Sequence, residues 1–545
     1  MTTIDLTLLR SPRNISVHGD LLRRLHANFD RLERADYTPE QVIASNVADE
    51  WPGDTPGRTM LAWANLGRAT GREPRYMQAL FQALPQHFNE LGYMGPVFTS
   101  LDEQQLSGHG WLTSGLLAYH EYTGSQAALD YAQRIVDNLF LKMRGRMASY
   151  PRQGKERSLE GLPAGTRAST LNNWTLSTDI GCAFVSLEGL VKAYKVFRRP
   201  TEKDLIEEML DIFQSINLEA VSAQLHASLT AARQFLMYHD LSADSLALET
   251  AKKVYLLFRQ RAITENYANY NWFNRPSWTE PCAVVDAFSV AFELWRKTAD
   301  PAYLEDAHHI YYNALGYGQK PHGGFGCDNC AGTDTPLLYN RVFDVTWCCN
   351  MRGAIGLSQA LQYTWQYALE AIFLPFYFDS TVELVFPDGI LILELSTTYP
   401  HEGHTLIKVF LSTLKEKKDL HFYVPSWVNE EAIQVRLNHH PVSFHVANGF
   451  TVIDQLSIHS GDYIELHFPI YLRKQPIINP SHLAGYTSYR HGPLILSRRL
   501  QTSEHQDQLN LLALESGAEE LEPVCAIFDY PAAVAQVDRR QILFK

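Results

Sequence analysis

"EYTGSQAALDYAQRIVDNL" (Glu121–Leu139) reads as the end of one helix, a short polar turn and an amphipathic helix with apolar residues at i, i+3 and i+4. The pattern returns in degenerate form as "RATGREPRYMQALFQAL" from Arg68, "VFRRPTEKDLIEEMLDIF" from Val196, "HDLSADSLALETAKKVYLLF" from His239 and "KTADPAYLEDAHHIYYNAL" from Lys297. The spacing is too irregular for a solenoid of fixed period. Helical hairpins separated by inserts of varying length suit a closed α/α toroid over residues 1–370. After about residue 370 the pattern changes to short alternating segments such as "TVELVFPDGILILELST" and "DYIELHFPI", broken by Gly-containing turns. This predicts a C-terminal β-sandwich over 371–545, less regular from about residue 510.

A chain of 545 residues exceeds one ordinary core, which agrees with a multidomain α + β protein. The net charge of -13 carries no long run of one sign, and this argues against nucleic acid or an anionic membrane surface as partner. No stretch is apolar for the length a bilayer needs, and "MTTIDLTLLRSPRNISV" lacks a basic start followed by an apolar run, so the expected location is cytoplasmic. In that compartment thiols stay reduced, and clustered cysteines serve as ligands or nucleophiles more often than as disulfides.

Five of the seven cysteines fall between Cys282 and Cys349. Cys182 and Cys525 stand apart and read as packing residues. In "WTEPCAVVDAF", Pro281 drives Glu280 out of the α region while itself suiting a first helical turn, so Glu280 and Cys282 can project together. In "WCCNMRGAIG", Asn350 is a candidate N-cap, which would put Cys348 and Cys349 at a helix mouth whose partial positive charge favours thiolates. If the two helix starts meet, Glu280, Cys282, Cys348 and Cys349 supply the four ligands of a tetrahedral zinc. Three other readings stay open from spacing: an all-sulfur site that draws in Cys327 and Cys330 of "GCDNC", a vicinal disulfide at Cys348–Cys349, and unliganded buried thiols.

These residues resemble glycoside hydrolase family 127, the zinc- and cysteine-dependent β-L-arabinofuranosidases, in the Glu-x-Cys of "EPC" and the later "CC". The likeness extends to "WPGDTPGRTMLAWANLGRATG", "LHASLTAARQFLMYH", "FYVPSW", "SGDYIELHFPI" and "HGPLIL", although "GCDNC" lies outside the pattern. The resemblance implies an (α/α)6 barrel over 1–370 joined to a β-sandwich over 371–545, and a zinc-dependent retaining glycosidase that acts on a small carbohydrate. Glu280, Cys282, Cys348 and Cys349 would hold Zn2+, and Cys348 would be the nucleophile. Glu265 would be the acid/base, being the one carboxylate between Gln260 and Glu280.

Candidates for sugar contact are His109 and His226, each on a helix expected to line the barrel, together with Trp51, Asp54 and Trp272. α/α barrels also serve sugar epimerases, unsaturated-uronide hydrolases and lyases, and a non-catalytic carbohydrate-binding protein with a structural zinc is a third alternative. A homodimer is compatible with the sequence.

Overall fold

The computed structural model describes residues 6–45, 50–157, 162–275, 278–326, 328–329, 337–341, 344–477, 485–499, 521–524 and 537–544. Twelve helices alternate between an outer and an inner ring. The outer helices are α1 (Gly19–Leu32), α3 (Met77–Ala83), α5 (Gln126–Asn138), α7 (Pro200–Gln214), α9 (Ser245–Arg261) and α11 (Pro301–Ile310). The inner helices are α2 (Asp54–Thr70), α4 (Glu103–Thr123), α6 (Leu187–Phe197), α8 (Leu225–Ser242), α10 (Pro281–Thr298) and α12 (Cys349–Thr364). Each inner helix packs on the next, and α12 returns to α2, so the ring is closed. This is the expected (α/α)6 barrel.

The recurring sequence pattern marks the five inner-to-outer turns. In each the inner helix ends on a left-handed residue: Gly71, Gly124, Arg198, Ala243 and Ala299, with φ between 56° and 76°. Asp244 and Asp300 then cap α9 and α11 through their carboxylates, and Pro200 and Pro301 occupy first turns. The cap chemistry makes the turn even where glycine is absent.

Inner helices are covered on both sides, and α4 is buried from Glu103 to Tyr119. Where α2 crosses α4 the contact is backbone on backbone. A Cβ on Gly57 would lie 2.2 Å from the Leu112 nitrogen, and one on Gly115 would lie 2.4 Å from the Gly57 oxygen. Any larger residue at either position forces the helices apart.

Beyond the barrel, a seven-stranded and a five-stranded sheet form the sandwich. Ser380–Phe386 and Gly389–Thr397 pair as a hairpin around Pro387 and Asp388, and alternate residues of Ser380–Phe386 are buried. Two features cross the division expected at residue 370. Asn14–Val17 pairs with Ser380–Glu383 at the edge of the seven-stranded sheet. A third sheet joins Trp278–Thr279, Asp328–Asn329 and Leu337–Arg341 from the barrel segment to Val537–Gln541, Leu494–Arg499, Thr487–His491 and Leu472–Pro476. The segment that leads into the cysteines is thereby tied to the C-terminal strands. Among the described residues no helix is long and apolar enough to cross a membrane.

Candidate metal centre and cavity

Helices α10 and α12 both begin at one mouth of the barrel. Pro281 is the first residue of α10, and Glu280 precedes it in an extended conformation (φ -110°, ψ 116°), as the Glu-Pro step requires. Helix α12 starts two residues earlier than the sequence suggested. Its N-cap is Cys348, not Asn350. Asn350 is instead a buried tie: its Oδ1 accepts from the Phe325 N–H at 2.6 Å, and its amide donates to Asp344 and to the Tyr37 hydroxyl at 2.6 and 2.9 Å.

The sulfurs of Cys282, Cys348 and Cys349 all lie within 4.8 Å of one another, a grouping that could hold a metal ion. Cys348 and Cys349 have sulfurs 3.4 Å apart, too far for a bond, so no vicinal disulfide is formed. Glu280 stands beside the Cys282 thiol, and its Oε2 is buried with no hydrogen-bond partner. An orphaned carboxylate oxygen facing converging thiols is the arrangement a cation would satisfy. Three sulfur donors and one oxygen donor suit zinc by ligand type and number. Burial and the neighbouring Cys348 push the Cys282 thiol up to about 11, whereas hydrogen bonds from Cys282 and Cys349 bring Cys348 down to about 7. Cys327 and Cys330, the alternative ligands, lie outside the described residues.

Cys348 and Glu280 border a cavity of about 530 Å³. Its volume falls in the range of small-molecule sites. Trp51, Trp278 and Trp347 stand at its wall, with Asp54, Arg58, Asp179, Gln224, His226 and Asn271 further around. Arg58 is the hub of the polar wall. It grips Asp54 one helical turn earlier at 2.6 and 3.1 Å, reaches the Cys282 sulfur at 3.9 Å and the His226 Nε2 at 3.4 Å, and lies over the Trp111 ring. Burial disfavours its charge, yet Asp54 and then Cys282 and Cys348 raise its pKa above the ordinary arginine value. It is a fixed cation at the edge of the thiol group.

His226 is held from behind. Its Nδ1–H donates to Asp286 at 2.7 Å, and Asp286 in turn accepts from Arg233 and Arg352 at 3.0 and 2.6 Å. Burial alone would raise the Asp286 carboxyl, but Arg352, Arg233 and His226 hold it far below the usual range. Glu188 bonds Arg233 and Lys192 and is held at about 2 by those charges in spite of burial.

Of the residues singled out in the sequence, the structure brings Cys348, Glu280, Asp54, Trp51 and His226 to the cavity, with Cys282 and Cys349 just behind. Three are placed elsewhere. His109 is fully buried, with one ring nitrogen bonded to the Gln105 carbonyl and the other accepting from the Met94 N–H, and burial lowers its pKa to about 4. It is a satisfied core histidine with no nitrogen left for a sugar. Trp272 does not border the cavity and instead packs edge-on behind Trp278, which does. Glu265 sits on the turn closed by Tyr267 N–H to the Thr264 carbonyl and does not border the cavity either. Burial raises its pKa, and the nearest opposing charge is Arg490 of the third sheet. Cys182, read as a packing residue, is buried as expected and also borders the cavity.

Sequence reasoning missed Arg58, Asp179 and Gln224. Only Arg58 carried a local signal, its i, i+4 spacing from Asp54 in "DTPGR".

A barrel of this kind, joined to β-sheets and holding a deep cavity at one mouth, is the architecture of known glycoside hydrolases. A solved structure described as a glycoside hydrolase matches with a TM-score of 0.71 at 14% identity, over 98% of this chain and 97% of that one. A GH127 β-arabinofuranosidase matches at 0.69 and 14% identity, over 90% of this chain and 86% of its own. Ara127N, a GH127 β-L-arabinofuranosidase from Geobacillus stearothermophilus T6, matches at 0.68 and 14% identity, over 89% and 86%. Residues 371–470 match the family model described as the β-L-arabinofuranosidase GH127 middle domain. The resemblance to GH127 read from the cysteine motifs thus holds over the middle β-sheets and in the fold of almost the whole chain. No curated protein matches the chain at a significant level.

Proposed function

We propose that the protein is a zinc-dependent retaining glycosidase that removes a terminal sugar, β-L-arabinofuranose or a close relative, from small glycans. One observation carries this reading: three thiols and an unsatisfied carboxylate converge at a cavity of small-ligand size, and one of the thiols, Cys348, borders it. The family resemblance and the GH127 middle domain support the substrate class.

Bound by Glu280, Cys282, Cys348 and Cys349, zinc would keep the thiols deprotonated at neutral pH. Cys348 closes the turn that leads into α12 as its N-cap, and of the three thiols it is the one that is partly exposed. It therefore can turn to the anomeric carbon while Cys282 and Cys349, both buried, stay in place. Arg58 offsets part of the negative charge of the thiol group, and His226, fixed through Asp286 on one ring nitrogen and facing Arg58 with the other, holds that guanidinium at the cavity wall. Retention also needs a proton at the leaving oxygen, from a carboxyl that borders the cavity. Glu265 does not meet that condition.

The test is metal content measured together with turnover on a panel of aryl furanosides and pyranosides. One zinc per chain and hydrolysis of a furanoside are expected. A metal-free protein that hydrolyses glycosides, or a zinc protein that interconverts free sugars without hydrolysing any, defeats the reading.

A further inference from the structure

Four carboxylates border the cavity: Glu50, Asp54, Asp179 and Glu280. Three are unsuited to donate a proton. Glu280 faces the thiols as a ligand, Asp54 is clamped at two points by Arg58, and Glu50 lies exposed to solvent at the rim.

Asp179 differs from all three. It is 8% exposed, and its Oδ1 is buried without a hydrogen-bond partner. Its Oδ2 lies toward Gly165 and the Trp51 indole, where a Cβ placed on Gly165 would meet both at 3.9 Å. Among the described residues no lysine or arginine forms an ion pair with it; the Gly165 N–H and the Gln224 side chain bond to it, and the carboxylates of Glu103 and Glu280 are near enough to oppose its charge. The backbone around it is fixed. The Asp179 N–H donates to the Ser177 hydroxyl at 3.1 Å, and its carbonyl accepts from the Cys182 N–H at 3.0 Å. A buried carboxyl with one unsatisfied oxygen and no cation beside it favours the protonated form. Burial accordingly pushes it up to about 6.

We propose that Asp179 is the catalytic acid/base of this cavity, an inference that rests on the glycosidase reading above. As the Cys348 sulfur bonds to the anomeric carbon, the C–O bond to the leaving group breaks. Its electron pair stays on the leaving oxygen, which takes the Asp179 proton and departs as an alcohol. In the second half Asp179, now a carboxylate, takes a proton from water while that water's oxygen bonds to the anomeric carbon. The C–S bond breaks, its electrons return to sulfur as thiolate, and Asp179 is again protonated. Each proton and electron pair is accounted for within the site.

The test uses Asp179→Asn, which changes one atom of the side chain, in the zinc-loaded protein with 4-nitrophenyl and methyl β-L-arabinofuranosides. Turnover of the methyl glycoside should fall by about 10²–10⁴-fold. With the nitrophenyl substrate, whose leaving group needs no proton, release of nitrophenol should persist as a burst. Intact-mass measurement should then show a pentosyl adduct on Cys348, and added azide should restore steady turnover. Zinc content and melting temperature equal to the wild type confirm that the variant folds.

Equal losses on both glycosides with unchanged zinc overturn the assignment, as does unimpaired hydrolysis of the methyl glycoside. Glu265→Gln measured beside it decides between the two carboxyls, and the split between substrates appearing at 265 instead of 179 also overturns it. A wild-type protein that hydrolyses no aryl glycoside removes the glycosidase reading and Asp179's role together, whereas failure at Asp179 alone leaves Cys348 and the metal site standing.

Discussion

The interiors of the helical ring and of the β-sandwich are both buried, yet they are built from opposite materials. Inside the sandwich, Leu391, Leu393, Ile407, Leu420, Phe422 and Leu466 meet with no charged partner among them, and their burial is a direct source of stability. Inside the ring, Glu188, Asp286, Arg233, Arg352 and Arg58 are all at most 9% exposed. Desolvating so many charges offsets much of what their attraction returns, so such a network is a poor source of stability compared with apolar packing. What it provides is placement: Asp286 orients His226, and Asp54 orients Arg58, both beside the thiols. The sandwich holds the fold, and the ring holds the site.

The largest effect that would break this contrast lies at the thiols. Cys348→Ala should lower kcat/KM by about 10⁴-fold or more, on the order of 5 kcal/mol of transition-state stabilisation, while most of the zinc remains bound. Zinc lost in step with activity would make the residue structural. Next comes the network behind it. Asp286→Asn leaves Arg352 buried without its ion-pair partner and Arg233 with Glu188 alone, and should cost about 3–5 kcal/mol in denaturant unfolding. It should also raise KM, because His226 loses its orienting partner.

A pH titration sharpens the contrast. Glu188 is held at about 2 by Arg233 and Lys192, below its usual value, so its share of stability is present above the unfolded carboxylate pKa of about 4.3 and fades as pH falls toward 2. The stability difference between wild type and Glu188→Gln, roughly 3 kcal/mol at neutral pH, should shrink across pH 5 to 2. The smallest effect belongs to the sandwich. Ile407→Val removes one buried methylene and should cost about 1 kcal/mol with kcat/KM unchanged. A change in kcat/KM there would show that the two interiors are coupled.

The barrel was legible because each inner-to-outer turn combines a helix stop with a polar cap and an amphipathic restart, all within some fifteen to twenty residues. The grouping of the thiols was legible for a related reason: Pro281 announces one helix start, and Asn350, though not the cap itself, pointed to a second start within two residues of the true one, so the first residues of two helices meet at one mouth. The rest depended on distance in the chain. Asp179 lies about a hundred residues before Glu280 and more than a hundred and sixty before Cys348, and nothing in "STDIGC" distinguishes a cavity carboxyl from a loop aspartate. His109 fits the right face at the wrong depth, since periodicity reports which side of a helix is covered and not how far along the axis an opening lies, and Trp272 lies outside any helix, where periodicity says nothing. The four-residue strand Asn14–Val17 is too short to show alternation, and its partner lies more than three hundred and sixty residues away.

The backbone contact between Gly57 and Gly115 bears on how this protein can change. Main chain touching main chain leaves no side chain to trim or swap, so the girth of the ring at that crossing is a fixed gauge, one residue away from Arg58. New specificities in such a lineage must be won at the rim, where Trp347 stands exposed to solvent, because the bore itself has no slack to give.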